Sequence, residues 1–293
     1  MIAYRSMLFV PGHKPAWVPK GISAGPDALI LDLEDAVPAA DKAEARRTVA
    51  RSVTEFGDRI DVWVRPNSWD TGLAGADLDE VVVPGLTGLL LPKIHTAADV
   101  LRFDTLLDHF ERRAGIPVGS VQLIASFETA TSMVECREIA VASPRVASLF
   151  GVASRDGDVA HALGYQWTPE GLETLYLRSR LVMAARAAGL EHPLAGLWQD
   201  VADLTGLVPF AEQNRGLGYR GQVVIHPSHV APVNQVFTPS DAEVAFYRGM
   251  VTAFETAVQR GDAAVTYEGQ HIDYAHVRTA RAVLARADRL PTS

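Results

Sequence analysis

Acidic and basic side chains follow several short apolar runs of this sequence, and residues of these types could together hold a metal ion and an anionic substrate. Three carboxylates lie within four positions after the apolar residues 28–31, and other charged residues follow later runs in the same way. Carboxylates in a partly desolvated site repel one another and therefore require a positive counter-charge. Because hard carboxylate oxygens without cysteine prefer Mg²⁺ or Mn²⁺ to Zn²⁺, we expect such an ion. The residues in question are Asp32, Glu34, Asp35, Arg65, Lys93, Glu128, Asp156, Asp158 and His226.

The apolar runs that precede these residues alternate with longer amphipathic stretches. Most of the runs are rich in Val, Ile and Leu without strict alternation, which is typical of parallel strands covered on both faces. The stretches between them, several of which end at glycine, predict helices, among them one over residues 129–143. The eight runs are SMLFVPG, DALILDLED, DVWVRPN, TGLLLPKI, VQLIASFE, RVASLFG, HPLAGLWQ and GQVVIHP. Eight strand–helix units in this order predict an α/β fold, a (β/α)₈ TIM barrel.

A doubly wound open sheet is the alternative fold, but no G-x-G-x-x-G segment follows the first strand, so a Rossmann fold has little support. In a TIM barrel the loops after the strands meet at one end, and the charged residues above should therefore converge there. We predict a catalytic barrel over residues 1–240. Residues 241–293 then form an extension of C-terminal helices and a lid segment.

The composition predicts a single large core and argues against several classes of function. The chain has 293 residues, of which 48% are hydrophobic and 21% charged. A formal charge of −8 and the absence of Lys/Arg tracts argue against a nucleic-acid partner. No window approaches the roughly 20 apolar residues of a membrane span, and no signal-like run opens the sequence. The lone cysteine, Cys136, fits a reducing compartment, so we expect a cytoplasmic protein.

Several of the charged residues have structural interpretations that the sequence leaves open. Asp41 is expected to face the N-terminus of the following helix. Glu128 could either ligate a metal or take part in helix capping, because hydroxyl residues follow it directly. Lys93 could be an ion-pair partner of the acids rather than an anion-binding residue. His226 could hydrogen-bond to backbone at a strand end.

Seven segments carry a family resemblance, in order and over nearly the whole chain. They are RSMLFVPGHKP, DALILDLEDAVPAADKAEAR, VWVRPNS, GLLLPKIHTAADV, ASFETATSMVECREIAVASPRVASLFG, DVAHALG and GQVVIHPSHVAPVNQVFTPS. These segments resemble signatures of the HpcH/HpaI aldolase/citrate lyase family, and within it those of citrate lyase β-chains and of malyl-CoA and citramalyl-CoA lyases. The resemblance implies a Mg²⁺-dependent (β/α)₈ lyase that cleaves a carbon–carbon bond in an acyl-CoA, commonly as a homotrimer or homohexamer.

The resemblance also implies a ligand set for the metal. The two direct ligands fall on Glu128, in FETA, and on Asp158, in DVAHALG, while Glu34 and Asp35 act through metal-bound water. The segment that leads from the sixth strand to Asp158 is longer than is usual in the family. Asp156 is therefore an alternative to Asp158 as the second ligand.

Basic residues are implied in substrate binding. Arg65 resembles the family arginine that grips the substrate carboxylate and neutralises an enolate oxygen, a role that suits the planar fork of a guanidinium. Arg5, His13 and Lys14 resemble positions near the CoA entrance, where the family uses basic side chains. Trp69 is a candidate wall of the pocket for the 2-oxo acid.

The C-terminal segment YEGQHIDYAHVRTAR resembles the lid of malyl- and citramalyl-CoA lyases. In those enzymes a lid aspartate reaches the active site of a neighbouring subunit, which makes Asp273 a candidate catalytic acid/base. The structural alternative is that Asp273 caps the helix that follows it, because aspartate is a preferred residue at that position.

The reaction implied by the resemblance is cleavage of a 3-hydroxyacyl-CoA that carries a carboxylate, of the malyl-, citramalyl- or citryl-CoA type. The products are an acyl-CoA and a 2-oxo acid. One alternative is a thioesterase on the same framework, which would release CoA and the intact hydroxy acid. Another is a pyruvate or phosphoenolpyruvate aldolase of the wider superfamily, which would not use CoA.

Overall fold

The computed structural model describes residues 3–151 and 154–290. Within these ranges eight parallel strands close into a barrel, each paired with the next in chain order and the last with the first. The predicted (β/α)₈ TIM barrel is thus confirmed. The barrel strands are β1 (Ser6–Pro11), β2 (Ala28–Asp32), β3 (Asp61–Arg65), β4 (Leu86–Leu91), β5 (Gln122–Phe127), β6 (Val146–Gly151), β7 (Leu194–Ala195) and β8 (Gly221–Val224).

Helices follow the strands and cover the barrel. They are α1 (Val18–Ser23), α2 (Lys42–Phe56), α3 (Ala74–Val81), α4 (Ala97–Ala114), α5 (Ala130–Val134), α6 (Cys136–Ala140), α7 (Asp158–Leu163), α8 (Leu172–Ala187), α9 (Leu204–Leu217) and α10 (Val230–Phe237). The predicted helix over residues 129–143 is wrong in one respect, because the chain forms two short helices, α5 and α6, that meet at Glu135. No helix in the described ranges is long and apolar enough to cross a membrane.

The register of the strands determines which side chains line the barrel interior. Phe9, Ile30 and Trp63 lie in one row across β1, β2 and β3, and the next row toward the carboxyl ends has Asp32 beside Arg65. A Cβ on Gly88 of β4 would lie 2.4 Å from the Trp63 ring, so glycine is required for the indole to fill the interior. The sheet therefore places an acid and a base side by side at the carboxyl end of the barrel, called the mouth below.

The C-terminal residues form a second compact unit. It begins at Thr238, whereas the sequence prediction began the extension at residue 241. Its elements are α11 (Asp241–Gln259), β9 (Val265–Tyr267), β10 (Gln270–Ile272) and α12 (Tyr274–Ala287). Glu268 and Gly269 join β9 to β10 with φ angles of 45° and 78°, the left-handed pair that a tight two-residue hairpin requires. The unit has its own small apolar core, which includes Met250, Phe254 and Ile272.

Candidate active site

An acid–base pair at the ends of β2 and β3 forms the centre of the mouth. Asp32 accepts two parallel hydrogen bonds from Arg65, from Nε and Nη2, each 2.7 Å long. The backbone N–H groups of Glu34 and Ala36 donate to the same carboxylate at 2.9 and 3.0 Å. Burial works against ionisation of Asp32, but the bonds from Arg65 hold its pKa below the usual value. Asp32 is thereby engaged in orienting Arg65, whose guanidinium also lies over the Phe9 ring.

Glu34 is buried in the mouth between two cations. One of its oxygens lies 3.2 Å from Arg65 Nη1 and the other 3.1 Å from Lys93 Nζ. Neither contact has the alignment of a hydrogen bond, so both Glu34 oxygens lack a hydrogen-bonding donor in the described part of the chain. Burial raises the pKa of Glu34 to about 7 against the attraction of Arg65. The neighbouring Asp35 is half exposed and accepts a hydrogen bond from Lys93 at 3.2 Å.

Glu128 follows β5 and is buried with one oxygen unsatisfied. Its Oε1 accepts a hydrogen bond from Ser126, which lies two residues earlier, near the end of β5. Its Oε2 is buried and has no hydrogen-bonding partner among residues 3–151 and 154–290. Burial raises the pKa of Glu128, and the negative charge of Asp158 raises it further. The sequence left open whether Glu128 caps a helix; in the structure Thr129 is the N-cap of α5, and the Glu128 carboxylate does not contribute.

Asp158 is the first residue of α7, and its carboxylate is half exposed at the mouth. One of its oxygens lies 4.0 Å from Lys93 Nζ. Asp156, the alternative ligand, is exposed and has a φ of 51° in the turn before α7. Because Asp158 is the acid that interacts with Glu128, it is the better partner for a shared cation.

The donor set fits a magnesium site that uses few protein ligands. No three His, Cys, Asp or Glu side chains come together in the described ranges in a way that could hold a metal ion. Mg²⁺ commonly keeps several of its waters and binds through one or two carboxylates, so two ligands suffice. Glu128 Oε2 is a buried, unsatisfied oxygen whose burial is costly unless a cation or a proton compensates it. Glu128 and Asp158 together therefore suit a hydrated divalent ion.

A hydrogen-bonded network that the sequence interpretation missed holds the loop after β2. Lys42 Nζ donates to the backbone oxygens of Leu33 and Glu34 at 2.8 and 2.9 Å and to Asn67 Oδ1 at 2.5 Å. Asn67 in turn donates twice to Asp77 at 2.7 Å. One feature of the sequence could have revealed this network. Lys42 lies at the first turn of α2, where the helix dipole disfavours a cation, so a lysine there requires another partner.

A cavity of about 500 Å³ opens beside Arg65 and runs between β1 and the loop after β8. Its lining is mostly apolar, with Arg65, Asp32, Lys20 and His226 as the polar groups. His226 is exposed, and its Nδ1 accepts from the backbone N–H of Ser228, so the predicted local hydrogen bond is present. Such a cavity can take an extended, partly apolar ligand whose anionic end meets Arg65.

The other predicted substrate residues lie at different places. His13 and Lys14 follow β1 at the mouth; Lys14 is exposed, and the Nδ1 atom of His13 is buried with no partner in the described structure. Trp69 packs edge-on against Phe103, with a ring-centroid distance of 5.6 Å. The prediction that places Arg5 near the CoA entrance is corrected by the structure. Arg5 precedes β1, at the opposite end of the barrel, where Asp27 binds its Nε and Nη2 at 3.0 and 2.7 Å.

Asp273 is the N-cap of α12 in the C-terminal unit. Its Oδ1 accepts hydrogen bonds from the backbone N–H groups of Ala275 and His276, at 2.9 and 3.3 Å, and lies 2.6 Å from His276 Nδ1. The bonds from His276 hold the pKa of Asp273 below its usual value. The capping alternative is thus realised through Oδ1, while Oδ2 accepts none of these bonds.

Comparison with known proteins assigns the chain to a family. A family model described as HpcH/HpaI aldolase/citrate lyase matches residues 5–227. The chain is 33% identical over 293 residues to citrate lyase subunit beta of Leuconostoc mesenteroides subsp. cremoris, with 99% of this chain and 95% of that protein covered. It is 33% identical over 289 residues to (3S)-malyl-CoA thioesterase of Cereibacter sphaeroides, covering 98% and 95%. The protein CitE of Mycobacterium tuberculosis, in complex with magnesium, acetoacetate and coenzyme A, superposes with a TM-score of 0.75 at 28% identity, covering 97% of this chain and 98% of that one. The chain is a member of the HpcH/HpaI aldolase/citrate lyase family.

Proposed function

We propose that this protein is a Mg²⁺-dependent carbon–carbon lyase that cleaves a 3-hydroxyacyl-CoA carrying a carboxylate into an acyl-CoA and a 2-oxo acid. Family membership supports an enzyme of this class, and the magnesium and coenzyme A in the CitE complex support the cofactor and the substrate. The single observation that carries the proposal is the buried, unsatisfied oxygen of Glu128 in a mouth that also contains Asp158 and Arg65.

Glu128 and Asp158 would hold the ion directly, and Glu34 and Asp35 would contact its waters. When bound, Mg²⁺ or Mn²⁺ supplies Lewis-acid polarisation of the substrate's hydroxyl and carboxylate oxygens. Ser126 contributes by fixing one oxygen of Glu128, which leaves the other free to face the ion. Of the two ligands, Glu128 is thus held in place by β5, whereas Asp158 on α7 is half exposed to solvent.

Arg65 would stabilise the negative charge that carbon–carbon cleavage leaves on the thioester. Asp32 binds two N–H groups of the guanidinium, so Arg65 cannot swing away, and Nη1 remains directed at the buried side of the mouth. A positive group that is already oriented needs no reorganisation as the charge develops. The cavity beside Arg65 gives the acyl-CoA a path to this point.

Asp273 would transfer the proton to or from the carbon of the acyl-CoA product, acting in the mouth of a neighbouring subunit of a homotrimer or homohexamer. Its Oδ1 is held by the first turn of α12, which fixes the carboxylate, while Oδ2 is available to accept or deliver a proton. This is the same chemical role as that implied by the lid resemblance.

The test is a product analysis with malyl-, citramalyl- and citryl-CoA, with and without Mg²⁺. We expect at least one of them to give a 2-oxo acid and an acyl-CoA in equal amounts, and only with the metal. Glu128→Gln should abolish this turnover and leave the circular dichroism spectrum unchanged. Near-normal turnover in Glu128→Gln, or turnover of pyruvate with aldehydes and of no CoA ester, would contradict the proposal.

A thioesterase activity is the second candidate, because one relative of nearly full-length similarity is a (3S)-malyl-CoA thioesterase. The two activities share a substrate and differ in products. Appearance of free CoA together with intact malate, at the expense of 2-oxo acid, would identify the thioesterase. Simultaneous measurement of thiol and 2-oxo acid from one reaction separates them.

A further inference from the structure

Lys93 places an ammonium group among the acids of the mouth. Its Nζ lies 3.1 Å from Glu34, 3.2 Å from Asp35 and 4.0 Å from Asp158. These acids come from the loops after β2 and β6, and Lys93 follows β4, which lies between those strands in the barrel. The side chain thus joins two groups of carboxylates that would otherwise face each other.

Lys93 has an uncommon backbone conformation. Its φ of 47° is in the left-handed region, which residues with a Cβ adopt uncommonly. The amino group donates one hydrogen bond to Asp35 and is otherwise held by attraction to the surrounding carboxylates, whereas Arg65 donates an aligned pair of hydrogen bonds to Asp32. About 30% of the Lys93 side chain is exposed, so a flexible lysine has a path toward solvent that Arg65, at 14%, lacks.

We propose that Lys93 is a built-in counter-cation of the metal site, which neutralises Glu34, Asp35 and Asp158 in the metal-free protein and competes with the divalent ion for them. The inference rests on the proposed metal site and adds a residue that tunes its affinity. Lys93 carries a single charge on a tether, whereas the ion brings two, so ion binding displaces the ammonium from the acids. Part of the ion's binding free energy is therefore spent on breaking these contacts.

The test is the Mg²⁺ affinity of the full-length protein, measured by calorimetry for Lys93→Met. We expect the dissociation constant to fall by about tenfold, since removal of the competing charge leaves the acids unneutralised. The melting temperature of the metal-free variant should be lower than that of the wild type, and saturating Mg²⁺ should reduce this difference. Lys93→Arg retains the charge and should bind Mg²⁺ much as the wild type does.

A matched control is Arg112→Met, which removes one positive charge from the exposed last turn of α4, at the end of the barrel opposite the mouth, and should leave the Mg²⁺ affinity unchanged. A second measurement needs no variant: Mg²⁺ should increase the rate at which a small amine-reactive reagent labels Lys93, read by mass spectrometry. Unchanged or weaker Mg²⁺ binding by Lys93→Met, or labelling that Mg²⁺ does not increase, would overturn the inference. Failure of the wild type to bind Mg²⁺ would instead overturn the proposed function.

Discussion

At the scale of single residues, the chemical role of each carboxylate in the mouth depends on which of its oxygens already accept hydrogen bonds. Asp32 is fully occupied by Arg65 and by two backbone N–H groups, so it orients the guanidinium and has no oxygen left for a metal. Glu128 is the reverse case, because Ser126 occupies only one of its oxygens. Two buried carboxylates at the same end of the barrel thus have different chemical uses.

The first prediction concerns the shape of the Arg65 side chain. Arg65→Lys keeps the charge but cannot reproduce the two parallel bonds to Asp32, so the cation loses its fixed direction. We expect kcat/KM to fall by about 10²- to 10³-fold, as for other groups that stabilise developing charge. Mg²⁺ affinity, measured by calorimetry, should change only a few-fold. Retention of wild-type kcat/KM in this variant would mean that a freely moving charge suffices.

Several residues of the mouth could be predicted from the sequence because position along a strand determines the end of the barrel to which a side chain belongs. Glu34, Glu128 and Asp158 follow strands, and the structure brings all three to the mouth. The same rule explains why the structure does not place Arg5 at the mouth. Arg5 lies only a few residues from His13 in sequence, but β1 separates the two, and they lie at opposite ends of the barrel. The partners of each side chain could not be predicted, because they come from other strands.

At the scale of elements, the loop after β2 is held from behind by α2 and α3. Lys42 of α2 binds the backbone oxygens of Leu33 and Glu34, and Asn67 links it to Asp77 of α3. These bonds cross three elements that are separated in sequence. The pattern of apolar residues predicts each helix but gives no information on such bonds.

The second prediction is that Lys42→Met weakens Mg²⁺ binding. The loop loses its anchor, and Glu34 and Asp35 lose their fixed positions around the ion's waters. We expect an increase in the dissociation constant of about tenfold, comparable to the loss of other groups that orient metal ligands. The direction of the change in Mg²⁺ affinity is informative. Removal of a positive charge near the acids would by itself strengthen Mg²⁺ binding, as we expect for Lys93→Met. Tighter Mg²⁺ binding by Lys42→Met would contradict the anchoring role.

A buried ion network at the opposite end of the barrel joins α4 to the strands β5 and β6. Glu111 accepts hydrogen bonds from the backbone N–H groups of Gly119 and Val121, both at 2.8 Å, and pairs with Arg145 at 2.7 Å. Burial opposes ionisation of Glu111, but the bonds from Arg145 and the backbone lower its pKa. The ionised form is therefore the one that stabilises the fold.

The third prediction is a pH-dependent loss of stability in Glu111→Gln. At pH 7 the variant should be less stable by about 1–3 kcal/mol, because the charge-assisted bonds between Glu111 and Arg145 are weakened while Arg145 keeps Asp104 and Asp108 as partners. A carboxyl whose pKa is lowered on folding stabilises the protein above its unfolded pKa of about 4.3 and loses this effect as the pH falls through the folded value. Chemical denaturation at several pH values should show the difference shrinking below about pH 4. An equal difference at all pH values would contradict this, and Glu212→Gln on the exposed face of α9 is the control.

The break between α5 and α6 shows where the sequence was insufficient at this scale. No Gly or Pro marks Glu135, so the periodic pattern over residues 129–143 predicts one helix. The break follows from tertiary packing, since α6 lies against α4 and α8 while α5 is positioned by the cap at Thr129 beside the mouth.

At the scale of the whole molecule, the barrel was predictable because eight apolar runs alternate with helices, and closure follows from their number. The hairpin and the last helix of the C-terminal unit were also evident as an extension that a barrel does not need. The proposed role of that unit requires an oligomer, because its candidate residue, Asp273, is expected to act on a neighbouring copy.

The fourth prediction is complementation between two variants of low activity. Asp273→Asn should bind Mg²⁺ normally but turn over slowly. Arg65→Lys should also turn over slowly, because its cation has lost its fixed direction. Oligomers that contain both should include mouths with an intact Arg65 next to an intact Asp273 from another subunit, so co-expression should restore part of the activity. The measurement is the specific activity of purified mixed oligomers. Wild-type kinetics of Asp273→Asn alone would leave the residue as a helix cap only.

The most direct test of the central claim is anomalous diffraction from crystals of the protein soaked in Mn²⁺. The metal site that we propose predicts one strong peak within bonding distance of Glu128 Oε2 and the Asp158 carboxylate, with Lys93 moved away from the acids. A peak elsewhere on the protein, or no peak at the mouth at a saturating Mn²⁺ concentration, would contradict it.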